Sequence, residues 1–220
     1  MNASEVSRMN PSHSIGGRVL LFTVLLGGLA LAQTTAPAPV TDPAPGHGSE
    51  HGASHPKSAL PDLPPPKAED FLSLGEEPQS VRLILVSAYN GVNYGMNFNG
   101  QAKGGAKVVI PTGWTVEVAF TNRSPVPHSV VVVERFQVRK LQMGEPFFTG
   151  ASTPNPVRGT TGTKGETFRF KTDEAGSFAF ACGFPSHAAN GHWVGLEILN
   201  DAKEPSLQLG SGPVFTPAAK

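Results

Sequence analysis

The residues with the most chemistry to offer lie close together near the end of this chain. Cys182, His187 and His192 stand in "ACGFPSHAANGHW", residues 181–193, spaced C-x4-H-x4-H. Cys182 is the only cysteine among 220 residues, so no intramolecular disulfide can form. A lone thiol in an exported chain then points to an intermolecular bond, a reactive nucleophile or a metal ligand. Of the seven histidines, His13 lies near the start and His47, His51 and His55 lie in one short tract. The remaining three are His187, His192 and His128, the last standing just before "SVVVV". A thiolate and two imidazoles in a roughly trigonal plane, with a weaker fourth donor, suit copper that cycles between Cu(I) and Cu(II). One cysteine with three histidines is also a tetrahedral set that zinc accepts. The bland alternative is a buried cysteine acting as a small hydrophobe beside ordinary surface histidines.

Such ligands need a rigid frame, and the sequence between 71 and 200 supplies one. Short β-branched and aromatic runs are separated by turn residues: "VRLILVSAY" (81–89), "AKVVIP" (106–111), "WTVEVAFTN" (114–122), "HSVVVVE" (128–134), "ETFRFK" (166–171), "GSFAFAC" (176–182) and "HWVGLEIL" (192–199). Val116, Val118 and Phe120 alternate with polar or small neighbours, as do Phe168 and Phe170, and this period predicts half-buried antiparallel strands. No long helical period occurs beyond a turn or two in "ERFQVRKLQM". The expected fold is all-β, a sandwich of seven to eight strands, large enough to be stable without disulfides. Cys182 then ends one strand and His192 begins the next, with Gly183, Pro185 and Gly191 in the turn between them.

Outside that domain the composition changes. Arg18 precedes an apolar run of 13 residues from Val19 to Leu31, closed by Ala30-Leu31-Ala32, which is the pattern of a secretory signal cut before Gln33. A spanning helix needs roughly 20 residues. Residues 1–32 are therefore expected to be a signal peptide and 33–70 a Pro/Ala/His-rich disordered tether. Within it His47, His51 and His55 are either polar linker residues or a weak metal-collecting tract. Residues 71–200 form the folded domain and 201–220 a C-terminal tail. Lys and Arg number 17 against 17 Asp and Glu, which gives no reason to expect a nucleic-acid partner. Two cysteines for a dinuclear copper site are lacking, as is C-x-x-C-H for haem, and no Ser-His-Asp motif stands out.

"NFNG" (97–100), "IPTGWTVEVAFTN" (110–122), "PHS" (127–129) and "CGFPSHAANGHW" (182–193) together resemble the cupredoxins, most closely the sulfocyanin and rusticyanin group, over roughly residues 83–199. The resemblance implies a Greek-key β-sandwich holding one type 1 copper ion on His128, Cys182 and His187. It implies a one-electron carrier rather than an enzyme, exported to the periplasm or cell envelope. The expected partners are redox proteins, a cytochrome or a terminal oxidase among them, and the carrier is expected to be a monomer. Retention of the signal segment would add an N-terminal membrane association. Ser129 matches the group and is expected to donate to the thiolate or to backbone.

The departure is His192, which stands where that group has its axial methionine. Three readings are open: an axial ligand, a side chain rotated into solvent that leaves three ligands, or a surface histidine misaligned with the motif. An axial nitrogen favours Cu(II) and lowers the potential. An open coordination position would instead suit copper storage or delivery. Phe184 and Pro185 are expected to rim the site and Trp193 both to pack and to shield the metal. The stretch 135–166, with Arg135, Arg139, Lys140, Arg158 and Lys164 against Glu145 and Glu166, is either a solvated loop or a landing for an acidic partner.

Overall fold

In Thr115–Asn122 every second side chain is buried, Val116, Val118, Phe120 and Asn122 pointing one way and the half-buried residues between them the other. That alternation fixes which face of the strand meets the core, because a slip of one residue would exchange the two faces. The computed structural model describes residues 63–218. Ten strands run in the order β1 Leu72–Leu74, β2 Ser80–Ser87, β3 Ala106–Pro111, β4 Thr115–Asn122, β5 Val131–Glu134, β6 Gly165–Lys171, β7 Gly176–Ala181, β8 Trp193–Leu199, β9 Ser206–Leu209 and β10 Val214–Phe215. They form a four-stranded sheet, β1-β2-β4-β6, and a six-stranded sheet, β10-β9-β3-β8-β7-β5. The expected Greek-key sandwich is therefore present.

Between the sheets lies the main core. Val116 sits opposite Phe170 and Val118 opposite Phe168 on the smaller sheet. Phe178, Phe180, Val194, Leu196 and Ile198 meet them from the larger one. Phe148 stacks on Phe170 and packs against Phe178. Strand β5 is covered on both faces. Val130 and Val132 enter this core, while Val131 and Val133 pack outward with Val138, Met143, Ala179, Ala181 and Ala188. The short 3-10 helix Arg135–Arg139 lies on that outer side, where Arg135 pairs with Glu197.

Four expectations need correction. The sheets are not wholly antiparallel, since β2 pairs β4 and β3 pairs β8 in parallel. Parallel neighbours need a crossover connection, and here the crossover from β2 to β4 passes through β3 in the facing sheet instead of through a helix. The tail expected from 201 is not outside the fold, because β9 pairs antiparallel with β3 and buries Leu207. The tether ends before 70: Tyr89 donates its hydroxyl to the carbonyl of Pro64, and Ala68 packs on the core. Finally, the strand after His128 begins at Val131, with His128 held separately by mutual backbone bonds to Thr160.

Among the described residues no helix is long and apolar enough to cross a membrane. The expected signal peptide and the tract His47, His51 and His55 lie outside the described residues.

Candidate metal centre

The β7–β8 ladder ends at Ala181 opposite Trp193 and is continued one step further by the bond from the Cys182 N–H to the His192 carbonyl. This places Cys182 and His192 side by side at the same end of the sandwich, with the nine-residue excursion between them folded into successive turns. The His187 N–H reaches the Phe184 carbonyl, the Asn190 N–H reaches Ser186, and the His192 N–H reaches His187. Gly183 is required in this loop, because a Cβ there would lie 2.7 Å from the Pro156 Cβ and 2.9 Å from its carbonyl oxygen. Gly191 takes φ +96°, a left-handed conformation that side chains other than glycine rarely adopt.

All four residues singled out from the sequence come together. One donor atom from each of His128, Cys182, His187 and His192 lies within 4.8 Å of every other. The His128 Nδ1 is 3.2 Å from the His187 Nδ1, and the Cys182 Sγ is 3.9 Å and 3.6 Å from them respectively. With bonds of about 2.0 Å to nitrogen and about 2.3 Å to sulfur, donors sharing one ion lie roughly 3–4 Å apart. The three separations among His128, Cys182 and His187 therefore fit a common ion.

A second observation makes the same point. The Nδ1 of His192 is buried and has no hydrogen-bond partner, while its Nε2 lies 3.1 Å from the Asn97 carbonyl and 3.2 Å from the Ser87 hydroxyl. A buried ring nitrogen without a partner carries a desolvation cost of about 1–3 kcal/mol unless something occupies it, and a metal ion is the occupant these neighbours would share. His192 is fully buried against Phe98, whose ring centroid is 4.3 Å away. The readings in which it rotates into solvent or lies on the surface are thus set aside.

Burial also sets the proton affinities. Desolvation, followed by the neighbouring His187, lowers the pKa of His128 to about 3. Desolvation lowers that of His187, and that of His192 falls well below the ordinary range through desolvation and then His128 and His187, opposed by the bond to Asn97. The three rings are thereby kept neutral, the form in which imidazole binds a metal. Desolvation pushes the Cys182 thiol up, opposed by backbone N–H groups of Ser129 and Phe184 directed at the sulfur. A metal cation at this position would favour the thiolate instead.

Ser129 works through backbone. Its hydroxyl donates to the Pro156 carbonyl and accepts the Gly183 N–H, so it ties the His128 segment to the cysteine loop, with the Cys182 sulfur 3.9 Å away. Phe184 lies against the His187 ring at 4.7 Å, as expected of a rim residue. Trp193 does not shield the site. The period of two along β8 sends His192 inward and Trp193 to the opposite face, where it packs on the outer cluster beneath Arg135. Ser87, Asn97 and Phe98 were missed as site residues, although "NFNG" carried two of them.

Residues 70–207 match the sulfocyanin (SoxE) domain family. A sulfocyanin of Sulfolobus acidocaldarius is 31% identical over 129 residues, covering 56% of this chain and 64% of that protein, less than two thirds of the relative's length. Reduced auracyanin of Roseiflexus castenholzii is 21% identical with a TM-score of 0.40, covering 54% of this chain and 96% of that one. Rusticyanin from Thiobacillus ferrooxidans is 20% identical with a TM-score of 0.35, covering 59% and 88%. At such TM-scores the family assignment rests on the sequence matches.

Proposed function

The chain belongs to the sulfocyanin family, and on that premise we propose that it is an exported one-electron carrier holding one copper ion on His128, Cys182 and His187, with His192 as fourth donor. The observation that carries the reading is the cluster of four residues whose donor atoms lie within 4.8 Å of one another, together with the buried His192 Nδ1 that has no hydrogen-bond partner. When bound, copper supplies the Cu(I)/Cu(II) couple. The protein's own part is to keep three imidazoles neutral, to present one thiol from a strand end, and to hold all four donors in a frame that neither oxidation state can remodel.

Where the site meets solvent is equally specific. His187 is half-buried, whereas His128 and His192 are buried, so electrons have their shortest exit through the His187 ring. Around it lie Phe184, the exposed Pro185 and, through the bond from the Ser186 N–H to its carbonyl, the exposed Leu141. Arg139 and Lys140 are exposed immediately before Leu141. An apolar centre with a basic edge suits an acidic redox partner, a cytochrome or terminal oxidase being the class with matching chemistry. The fourth buried donor disfavours an open coordination position, and with it the storage or delivery alternative.

Since the same donor set accepts zinc, the test is metal analysis of the purified chain together with its visible and EPR spectra. The expected result is one copper per chain, an intense thiolate-to-copper band and reversible one-electron reduction. Stoichiometric zinc in a colourless protein that does not exchange for copper would overturn the proposal.

A further inference from the structure

We infer that Ser87 and Asn97 are positioning residues that lock His192 into its Nε2–H tautomer and so make Nδ1 the nitrogen turned to the site. The chemistry of the contact decides the tautomer. A backbone carbonyl can only accept, so the 3.1 Å contact between Nε2 and the Asn97 oxygen is a hydrogen bond only when Nε2 carries the proton. The Ser87 hydroxyl, 3.2 Å from the same nitrogen, is a second acceptor for that N–H. A neutral imidazole has one proton, and Nδ1 is then left with a lone pair.

The carbonyl that makes this choice is itself braced. Asn97 is fully buried, and its side chain spans the loop around it. Its amide donates to the carbonyls of Asn90 and Val92, while its Oδ1 accepts the N–H groups of Tyr89 and Gly100. The Asn97 carbonyl also accepts the Ala88 N–H, one residue beyond the end of β2. Ser87 is the last residue of that strand and is fully buried. The end of β2 and the loop that follows it thus hold a ring contributed by the residue just before β8 of the larger sheet. Phe98 closes the ring's face at 4.3 Å. No rotation that exchanges Nδ1 for Nε2 keeps these contacts.

The consequence is that these two residues, neither of which supplies a donor to the ion, set whether position 192 offers a fourth nitrogen at all. This inference rests on the copper reading for its effect on the site, but the tautomer itself is a property of the metal-free chain. Nitrogen-15 NMR of the full chain without metal reads it directly. Wild type is expected to show Nε2 protonated and Nδ1 bare at His192. Ser87→Ala should loosen this to a mixture and weaken copper binding about tenfold, at the lower end of what loss of a partner behind a ligand histidine costs. Ser87→Thr, which keeps the hydroxyl, should restore both. Thermal unfolding of each variant separates loss of positioning from loss of fold.

His192 protonated on Nδ1 in wild type would overturn the inference. So would a Ser87→Ala chain, folded as stably as wild type, with unchanged tautomer and unchanged copper affinity. Failure of wild type to bind copper while His192 holds the Nε2–H form would instead refute the copper reading and leave the tautomer assignment standing.

Discussion

His187 and His192 stand five residues apart on one loop and face the same cluster, yet their surroundings are opposite. His192 is sealed among Phe98, Ser87 and Asn97 and has its second nitrogen committed to protein acceptors. His187 is half-buried, with Phe184 against it and solvent at its edge. The same side chain thus serves two ends. On the copper proposal, the immobilised ring at the deep wall would limit rearrangement between oxidation states, and the reachable ring at the rim would give a redox partner access. Cys182 and the buried His128 join the two walls, and Ser129 ties their segments together.

The strongest way to break this arrangement is to remove what both walls share. Cys182→Ser should abolish the visible charge-transfer band and tight copper binding, measured by titration and absorption, because no other thiol exists in the chain. Next, the walls can be separated. His187→Gly opens a gap at the rim that imidazole from solution can fill, so added imidazole should restore the spectrum. His192→Gly makes its gap in the interior, and imidazole should restore little or nothing there. Equal rescue of the two would mean that the contrast in burial does not govern access to the metal.

A smaller effect is expected from His192→Met, which replaces a nitrogen donor by a thioether. The softer donor favours Cu(I), so the reduction potential should rise by at least about 59 mV, a tenfold change in the one-electron equilibrium. Voltammetry at neutral pH checks it, and an unchanged potential would mean that position 192 does not contact the metal.

A separate effect concerns acid and the metal-free chain. Unfolded histidines titrate near about 6.5, whereas His128 in the fold titrates at about 3 and His187 and His192 are also lowered. Below pH 6.5 the unfolded chain takes up protons that the folded one refuses. Stability is therefore full above that value and falls as the pH drops toward 3, by at most about 1.4 kcal/mol per pH unit for each such histidine. Thermal unfolding at stepped pH values measures the slope. A midpoint independent of pH between 7 and 4 would contradict the buried, neutral cluster.

The clustered residues were legible in the sequence because few residue types bind metal through sulfur or imidazole, and the folded segment contains one such cysteine and three such histidines. The central strands were legible through alternation, as in Val116, Val118 and Phe120. Which strands pair was not. Alternation states that a strand has an inner face but not which neighbour flanks it, so the parallel pairs β2–β4 and β3–β8 could not be read. Strand β9 was hidden because "SLQL" is too short to show a period, and it is the pairing with β3 that makes it a strand. The partners of His192 were hidden for a similar reason. Ser87 and Asn97 lie 105 and 95 residues away in the chain, and only the closing of the two sheets brings them to the ring.

The central claim is a single copper ion held by one sulfur and three imidazole nitrogens. X-ray absorption at the copper edge of the loaded chain counts these donors directly. The account predicts one sulfur and three nitrogen scatterers per copper in wild type, and one fewer nitrogen in His192→Met. Two nitrogens in wild type, with no change on replacing His192, would contradict it.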